Sequence, residues 1–134
     1  MGSIHERIVA AQNARDPVSF AALFSQDYVS EQPAHPGRAF TGRAQVLENW
    51  TGVFGGVPDF RAELVATATS GDVEWGEVSW SGTHVDGSAF AMRGVVIATV
   101  HDGLIASARL FVEPVEAGGD IAEAVDELYH PPSE

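Results

Sequence analysis

The sequence predicts an α+β domain with helices gathered over one face of a curved antiparallel sheet, and three observations predict it. Before the strand-rich part of the chain, helical apolar spacing and helix-cap signals gather in the first 57 residues. After Asp59 come four runs of about ten residues each, rich in Val, Ile, Thr, Phe and Trp. Asp-Gly pairs separate the last three runs, as tight hairpins require. At 134 residues and 45% hydrophobic, the chain suits one domain spanning 1–134. A chain of that size buries roughly 68% of its unfolded surface, so it needs neither disulfides nor a structural metal.

Ser3 and Glu6 have capping-box spacing and precede Ile4, Ile8 and Ala11, which predicts a first helix ending near Asn13. Asp16 before Pro17 reads as an N-cap with proline at the first helical position, and Val18, Ala21, Leu23 and Phe24 supply the stripe of a second helix. Asp27 to Gln32 reads as a short strand, and Pro33 to Gly37 as irregular chain. From Gly42 a third helix carries Val46, Trp50 and Phe54 four residues apart, until Gly55-Gly56 and Pro58 stop it. The four strands are then Phe60 to Thr69, Val73 to His84, Ala89 to His101 and Leu104 to Val115. Ser70-Gly-Asp72, Asp86-Gly87 and Asp102-Gly103 supply the turns. Gly118 to Glu134 reads as an acidic helix and tail, with Asp120 and Glu123 as a cap and Ile121, Val125 and Leu128 on one face. That helix is expected to dock weakly or to meet a partner chain.

Charge and residue usage exclude several chemistries. There is no cysteine, so thiol nucleophiles and thiolate metal sites are absent. All seven basic residues are arginine, which removes Schiff-base chemistry and a lysine-bearing phosphate loop. The net charge of −12 repels phosphate backbones and anionic lipid, so neither nucleic acid nor a membrane is an expected partner. No apolar run approaches a membrane span or a signal core, and a cytoplasmic location is expected. No histidine spacing suggests a metal, no motif suggests a serine nucleophile, and no cofactor is expected.

Four segments carry a resemblance: Phe40-Thr-Gly-Arg-Ala44, Trp80-Ser-Gly-Thr-His84, Val100-His-Asp-Gly-Leu-Ile105, and Arg109 with Phe111 and Glu113. In order and spacing the chain resembles the nuclear transport factor 2-like cone, and within it the SnoaL-like polyketide cyclases, ketosteroid isomerases and limonene epoxide hydrolases. The resemblance implies a conical sheet, a pocket for a small, largely apolar ligand, and a homodimer through the sheet face. It implies cofactor-free acid-base chemistry on a polyketide-like or terpenoid carbonyl compound, or else a non-catalytic ligand-binding or assembly module. The position resembling the isomerase aspartate holds Gln32, and the acid that follows the epoxide-hydrolase arginine is replaced by Leu110.

The two Asp-Gly pairs also allow a register argument. Read as two-residue turns, they place Arg93 opposite Trp80 and Val112, on an apolar face with Val78, Val95, Ile97, Ala108 and Leu110. The other face then holds Trp75, Glu77, Ser79, Met92, Val96, Arg109, Phe111 and Glu113, as a subunit interface would. A guanidinium on a covered apolar face needs a carboxylate or a polar ligand group. Glu31 is the expected partner, with the pair acting either as base and electrostatic stabiliser or as a structural tether. His35, in the proline-rich loop, is the second candidate acid or base. Tyr28, Trp50, Phe54, Trp80 and Leu110 are the candidate ligand-binding residues. Glu31 and Gln32 point to opposite sides of a strand, so only one of them faces the pocket.

Overall fold

The structure is a computed structural model that describes residues 2–130. Its first helix, α1 (Ile4–Ala14), begins at the expected capping box: the Glu6 amide donates to Ser3 Oγ and the Ser3 amide to Glu6 Oε1. Asp16 caps α2 (Pro17–Ala21) by accepting from the amides of Val18 and Ser19. This helix is shorter than its apolar stripe suggests. Phe24 is drawn instead into strand β1 (Phe24–Glu31), where it pairs with Ile105.

A single 3₁₀ turn (Pro36–Arg38) and a two-residue strand β2 (Phe40–Thr41) lead into α3 (Arg43–Gly56). Four long strands follow: β3 (Arg61–Ser70), β4 (Val73–Thr83), β5 (Ala89–His101) and β6 (Leu104–Pro114). They form the expected meander within a six-stranded sheet of order β2-β1-β6-β5-β4-β3. The β1 and β6 strands run parallel, and all other neighbours are antiparallel. Helix α4 (Ile121–Tyr129) starts at Asp120, which accepts from the Glu123 amide; its apolar residues Ile121 and Leu128 are exposed. No helix among the described residues is long and apolar enough to cross a membrane. The end of the expected tail, residues 131–134, lies outside the described residues.

The core occupies the concave side of the sheet, under the three N-terminal helices. One cluster joins Ile4 and Ile8 of α1 to Phe20, Phe24, Tyr28, Val46, Ala98 and Ile105. A second joins Phe54, Val57, Phe60, Ala62, Val78, Trp80 and Val112. Trp50 packs against both, with ring centroids 4.7 Å from Phe20, 5.5 Å from Phe54 and 5.4 Å from Trp80. Fully buried His5 closes one end of the core: its amide donates to Glu74 Oε1, and its ring Nε2 lies 3.0 Å from the Glu74 carbonyl oxygen.

Two two-residue turns, one five-residue connection and a bulge in β6 set the register of β5 and its neighbours. The Gly71-Asp72 and Asp102-Gly103 connections are two-residue turns, joining the pairs Ser70↔Val73 and His101↔Leu104. Asp102 (φ 51°) and Gly103 (φ 77°) both adopt the left-handed region that such a turn requires. Asp86-Gly87 is different. It lies within a five-residue connection, His84 to Ser88, between Thr83 and its partner Ala89. Asp86 Oδ1 accepts from both the amide and the hydroxyl of Ser88, a local bonding pattern that competes with a tight turn. In β6, pairing passes from Val100↔Ile105 to Thr99↔Ser107, so Ala106 is the extra residue of a bulge.

Each feature moves β5 by one residue from the register expected of paired two-residue turns. Trp80 pairs with Met92 and Ser79 with Arg93, while Arg93 faces Glu113. A one-residue slip turns every side chain of a strand over. The expected faces are therefore correct for β4 and β6 and inverted for β5: Met92, Gly94, Val96 and Ala98 face the core, and Arg93, Val95 and Ile97 face away from the helices.

Gly94 sits where the β6 backbone lies close to β5. A Cβ placed there would collide with the Phe111 carbonyl oxygen and the Val112 Cα, backbone atoms that cannot rotate aside. Gly94→Ala should therefore cost at least the upper part of the ~1–3 kcal/mol typical of overpacking. Urea denaturation reads this directly, and an unchanged midpoint would contradict the close approach.

Candidate ligand pocket

A cavity of about 220 Å³ lies between the concave sheet face and the helices. Its floor is small by sequence: Ala98 and Ala108 are cross-strand partners, both buried, and together they leave space that larger inward residues would fill. Val96, Leu110 and Ile105 continue the floor, and Trp80 forms one wall. Helix α3 contributes Val46, Asn49, Trp50 and Val53, at the i, i+3, i+4 and i+7 positions that share a helix face. From α1 come Ile8 and Gln12, one turn apart; Phe20 and Phe24 complete that end.

The polar part of the wall comes mainly from β1 and the residue after it. Tyr28, Ser30 and Gln32 alternate inward, as the two-residue period of a strand dictates. Burial pushes the Tyr28 phenol up to about 12, against a smaller opposing effect of its hydrogen bond with Ser30, so it stays a neutral hydroxyl at physiological pH. Arg38 Nη1 donates to Gln32 Oε1 at 3.0 Å, which orients the carboxamide from outside the pocket. Asn49 Oδ1 accepts from Gln45 Nε2 at 2.7 Å, one turn back on α3. The polar wall is thus Gln12, Tyr28, Ser30, Gln32 and Asn49: all neutral, with no carboxylate, imidazole or guanidinium among the described lining residues.

Of the five candidate ligand-binding residues, Tyr28, Trp50, Trp80 and Leu110 line this cavity. Phe54 does not. It turns into the second core cluster, where its ring packs 5.6 Å from that of Phe60. The expected catalytic group is not assembled. Arg93 is on the convex face because of the β5 register, with Nη2 3.6 Å from Glu77 Oε2 and its side chain 56% exposed. Glu31 is exposed beside its register partner Arg109, bordering a shallow convex-face depression with Trp75 and Ile97. His35 Nε2 lies 2.6 Å from Glu113 Oε1, on the rim of that same face. Gln32 is the one of the Glu31 and Gln32 pair that faces the pocket.

Gln12 and Asn49 were missed from sequence, although a signal existed for the first. Ile4, Ile8 and Gln12 follow at intervals of four, which places a carboxamide on the buried stripe of α1.

Comparison with known proteins agrees with this architecture. The sequence pattern of the SnoaL-like domain matches residues 5–108. No curated protein matches the chain. Among solved structures, IdmH of Streptomyces antibioticus, a candidate polyketide cyclase, superposes with a TM-score of 0.71 at 22% identity, over 82% of this chain and 89% of its own. An NTF2-like protein from Exiguobacterium has a TM-score of 0.69 at 21% identity, over 86% and 100%. A candidate ketosteroid isomerase from Kribbella flavida has a TM-score of 0.67 at 25% identity, over 87% and 78%.

An exposed ion pair contributes about 0–1 kcal/mol. Arg93→Ala should thus leave cavity ligand binding unchanged and shift stability by no more than that. Titration of an apolar ligand into both proteins checks it, and a severalfold loss of affinity in the variant would return Arg93 to the site.

Proposed function

The chain belongs to the SnoaL-like domain family, and from that premise we propose that it binds a small, largely apolar molecule of terpenoid-like size in the cone cavity. The observation that carries this reading is an aromatic-walled cavity whose polar groups are all neutral. At about 220 Å³ it is smaller than the ~300–1,000 Å³ usual for drug-sized ligands, which favours one or two rings over a four-ring skeleton. Affinity comes from burying the ligand between Trp50, Trp80, Phe20 and Phe24, and orientation from the Tyr28 hydroxyl and the Gln32 carboxamide.

A cofactor-free cyclase or isomerase must take a proton from carbon and stabilise the resulting oxyanion. The lining supplies donors for an oxyanion, Tyr28 and the Gln32 amide group, and no base matched to neutral pH. Glu31, His35 and Arg93 cannot serve from the convex face. The geometry therefore favours the binding module over the acid-base enzyme.

Ala108→Leu should fill the cavity floor, keep the fold, and weaken binding of naphthalene at least tenfold, about 1.4 kcal/mol. Ligand fluorescence with a parallel thermal melt measures both. A wild-type protein that binds no compound of this class overturns the reading.

The convex face supports a second element of function, a homodimer. Its corrected register gathers Trp75, Val95, Ile97 and 41%-exposed Phe111 into one apolar strip, flanked by Glu77, Arg93, Arg109 and Glu113. An apolar centre with a charged rim is the anatomy of a protein interface. Sedimentation should give a dimer for the wild type and a monomer for Phe111→Glu, with ligand binding retained. A monomeric wild type at micromolar concentration contradicts it.

A further inference from the structure

The carboxamide of Gln32 has a fixed sense. Arg38 Nη1 donates to Gln32 Oε1 at 3.0 Å, and a guanidinium carries donors only, so the carboxamide oxygen is the atom that must face it. The Gln45 and Asn49 bond carries no such information, since either amide can donate to the other. Oxygen and nitrogen diverge from one carbon, so Gln32 Nε2 is turned away from Arg38. Arg38 stands outside the cavity lining and Gln32 within it. Gln32 is half-buried, and its Nε2 donates to no described residue, yet it is not sealed from the surface as Gln12 Oε1 and Trp80 Nε1 are.

The chain after β1 is built to hold Arg38 in place. The His35 amide donates to the Gln32 carbonyl oxygen at 2.7 Å, which folds the chain back on itself. The 3₁₀ turn then brings Arg38 to Gln32, with the Arg38 amide on the His35 carbonyl oxygen at 2.9 Å. Pro33 and Pro36 restrict the backbone at two positions of this loop, and His35 Nε2 ties it to Glu113 Oε1 on β6.

Resting on the binding reading above, we propose that Gln32 and Arg38 form a specificity pair: Gln32 Nε2 donates to an accepting oxygen of the ligand, and Arg38 is the positioning residue that holds the amide in that sense. The ligand selected is neutral and accepts a hydrogen bond without donating one, as a ketone does. The guanidinium polarises the amide it bonds, which strengthens the N–H as a donor. A ligand carrying only a donor sets N–H against N–H and leaves both unpaired, and that penalty is the source of discrimination. A carboxylate is repelled by the net charge of −12, and no described lining residue carries a positive charge to pair with it.

The test uses three fused-ring probes of similar size: 1-indanone with an acceptor, indole with a donor, and indene with neither. Calorimetric or competition binding to the wild type should place indanone at least about fivefold tighter than indene. The decisive readout is the ratio of indanone to indole affinity, which a general loosening of the pocket does not move. Gln32→Glu keeps a partner for Arg38 and replaces the N–H with an acceptor oxygen, so the ratio should invert in favour of indole. Gln32→Leu should bring indanone down to the level of indene. Arg38→Leu frees the carboxamide to turn over and should lower the ratio, whereas Arg38→Lys, which still donates, should restore it. A ratio that Gln32→Glu leaves unchanged overturns the donor assignment while the apolar pocket stands. A ratio that responds to Gln32 and not to Arg38→Leu overturns the positioning role. Failure of all three probes to bind the wild type overturns the pocket reading and this inference with it.

Discussion

The register of β5 between its two neighbours governs which chemistry this fold presents on each side. On one side, the five-residue connection at Asp86-Gly87 sets the Trp80↔Met92 pairing; on the other, the Ala106 bulge sets Arg93↔Glu113. Because the two shifts agree, β5 turns over as a unit and the sheet stays continuous. The concave face receives Val96 and Ala98 beside Ala108 and Leu110, which makes a low, apolar floor. The convex face receives Arg93 beside Glu77 and Glu113. Had both shifts been absent, Arg93 and Met92 would have changed faces.

The cavity is held open by what is large around it and small beneath it. Trp50 touches both halves of the core through rings about 5 Å apart, so α3 is fixed at a set height over the sheet. Below it the paired alanines leave room. A neutral polar wall inside this apolar space has a direct energetic meaning: each buried group without a partner costs about 1–3 kcal/mol. Gln12 Oε1 and Trp80 Nε1 are the groups of the wall left in that state.

The ionisable residues are concentrated outside. His35 with Glu113, Arg93 with Glu77, and Glu31 beside Arg109 lie along the convex face or its rim, where water screens them. Such pairs add little to stability. Charges around an apolar strip can select and orient a partner surface, and that is the part the proposed dimer would give them. The two faces thus divide their work by dielectric environment: neutral hydrogen-bonding groups where water is excluded, and charges where it is not.

Local chemistry in the chain determined the elements themselves. The Ser3 and Glu6 box, the Asp16-Pro17 start, the fourfold spacing of Val46, Trp50 and Phe54, and the four β-rich runs all act within a few residues, and these elements formed close to their expected bounds except α2, which ends before Phe24. The resemblance to the SnoaL-like cone was legible for the same reason: its marks lie at turns and helix starts. Four of five expected cavity residues were legible because they are large and apolar, and Phe54, equally apolar, differed only in which neighbour it met. The parallel pairing of β1 with β6, the β6 bulge and the length of the Asp86 loop were decided by tertiary structure alone. A bulge forms when two strands must follow one curved sheet, and no short segment encodes that curvature. So the sequence by itself determined that a pocketed cone would form, while only the tertiary structure decided that Arg93, Glu31 and His35 lie outside the pocket and Gln12 and Gln32 within it. Register is a property of three strands at once, and a side chain's face follows from register.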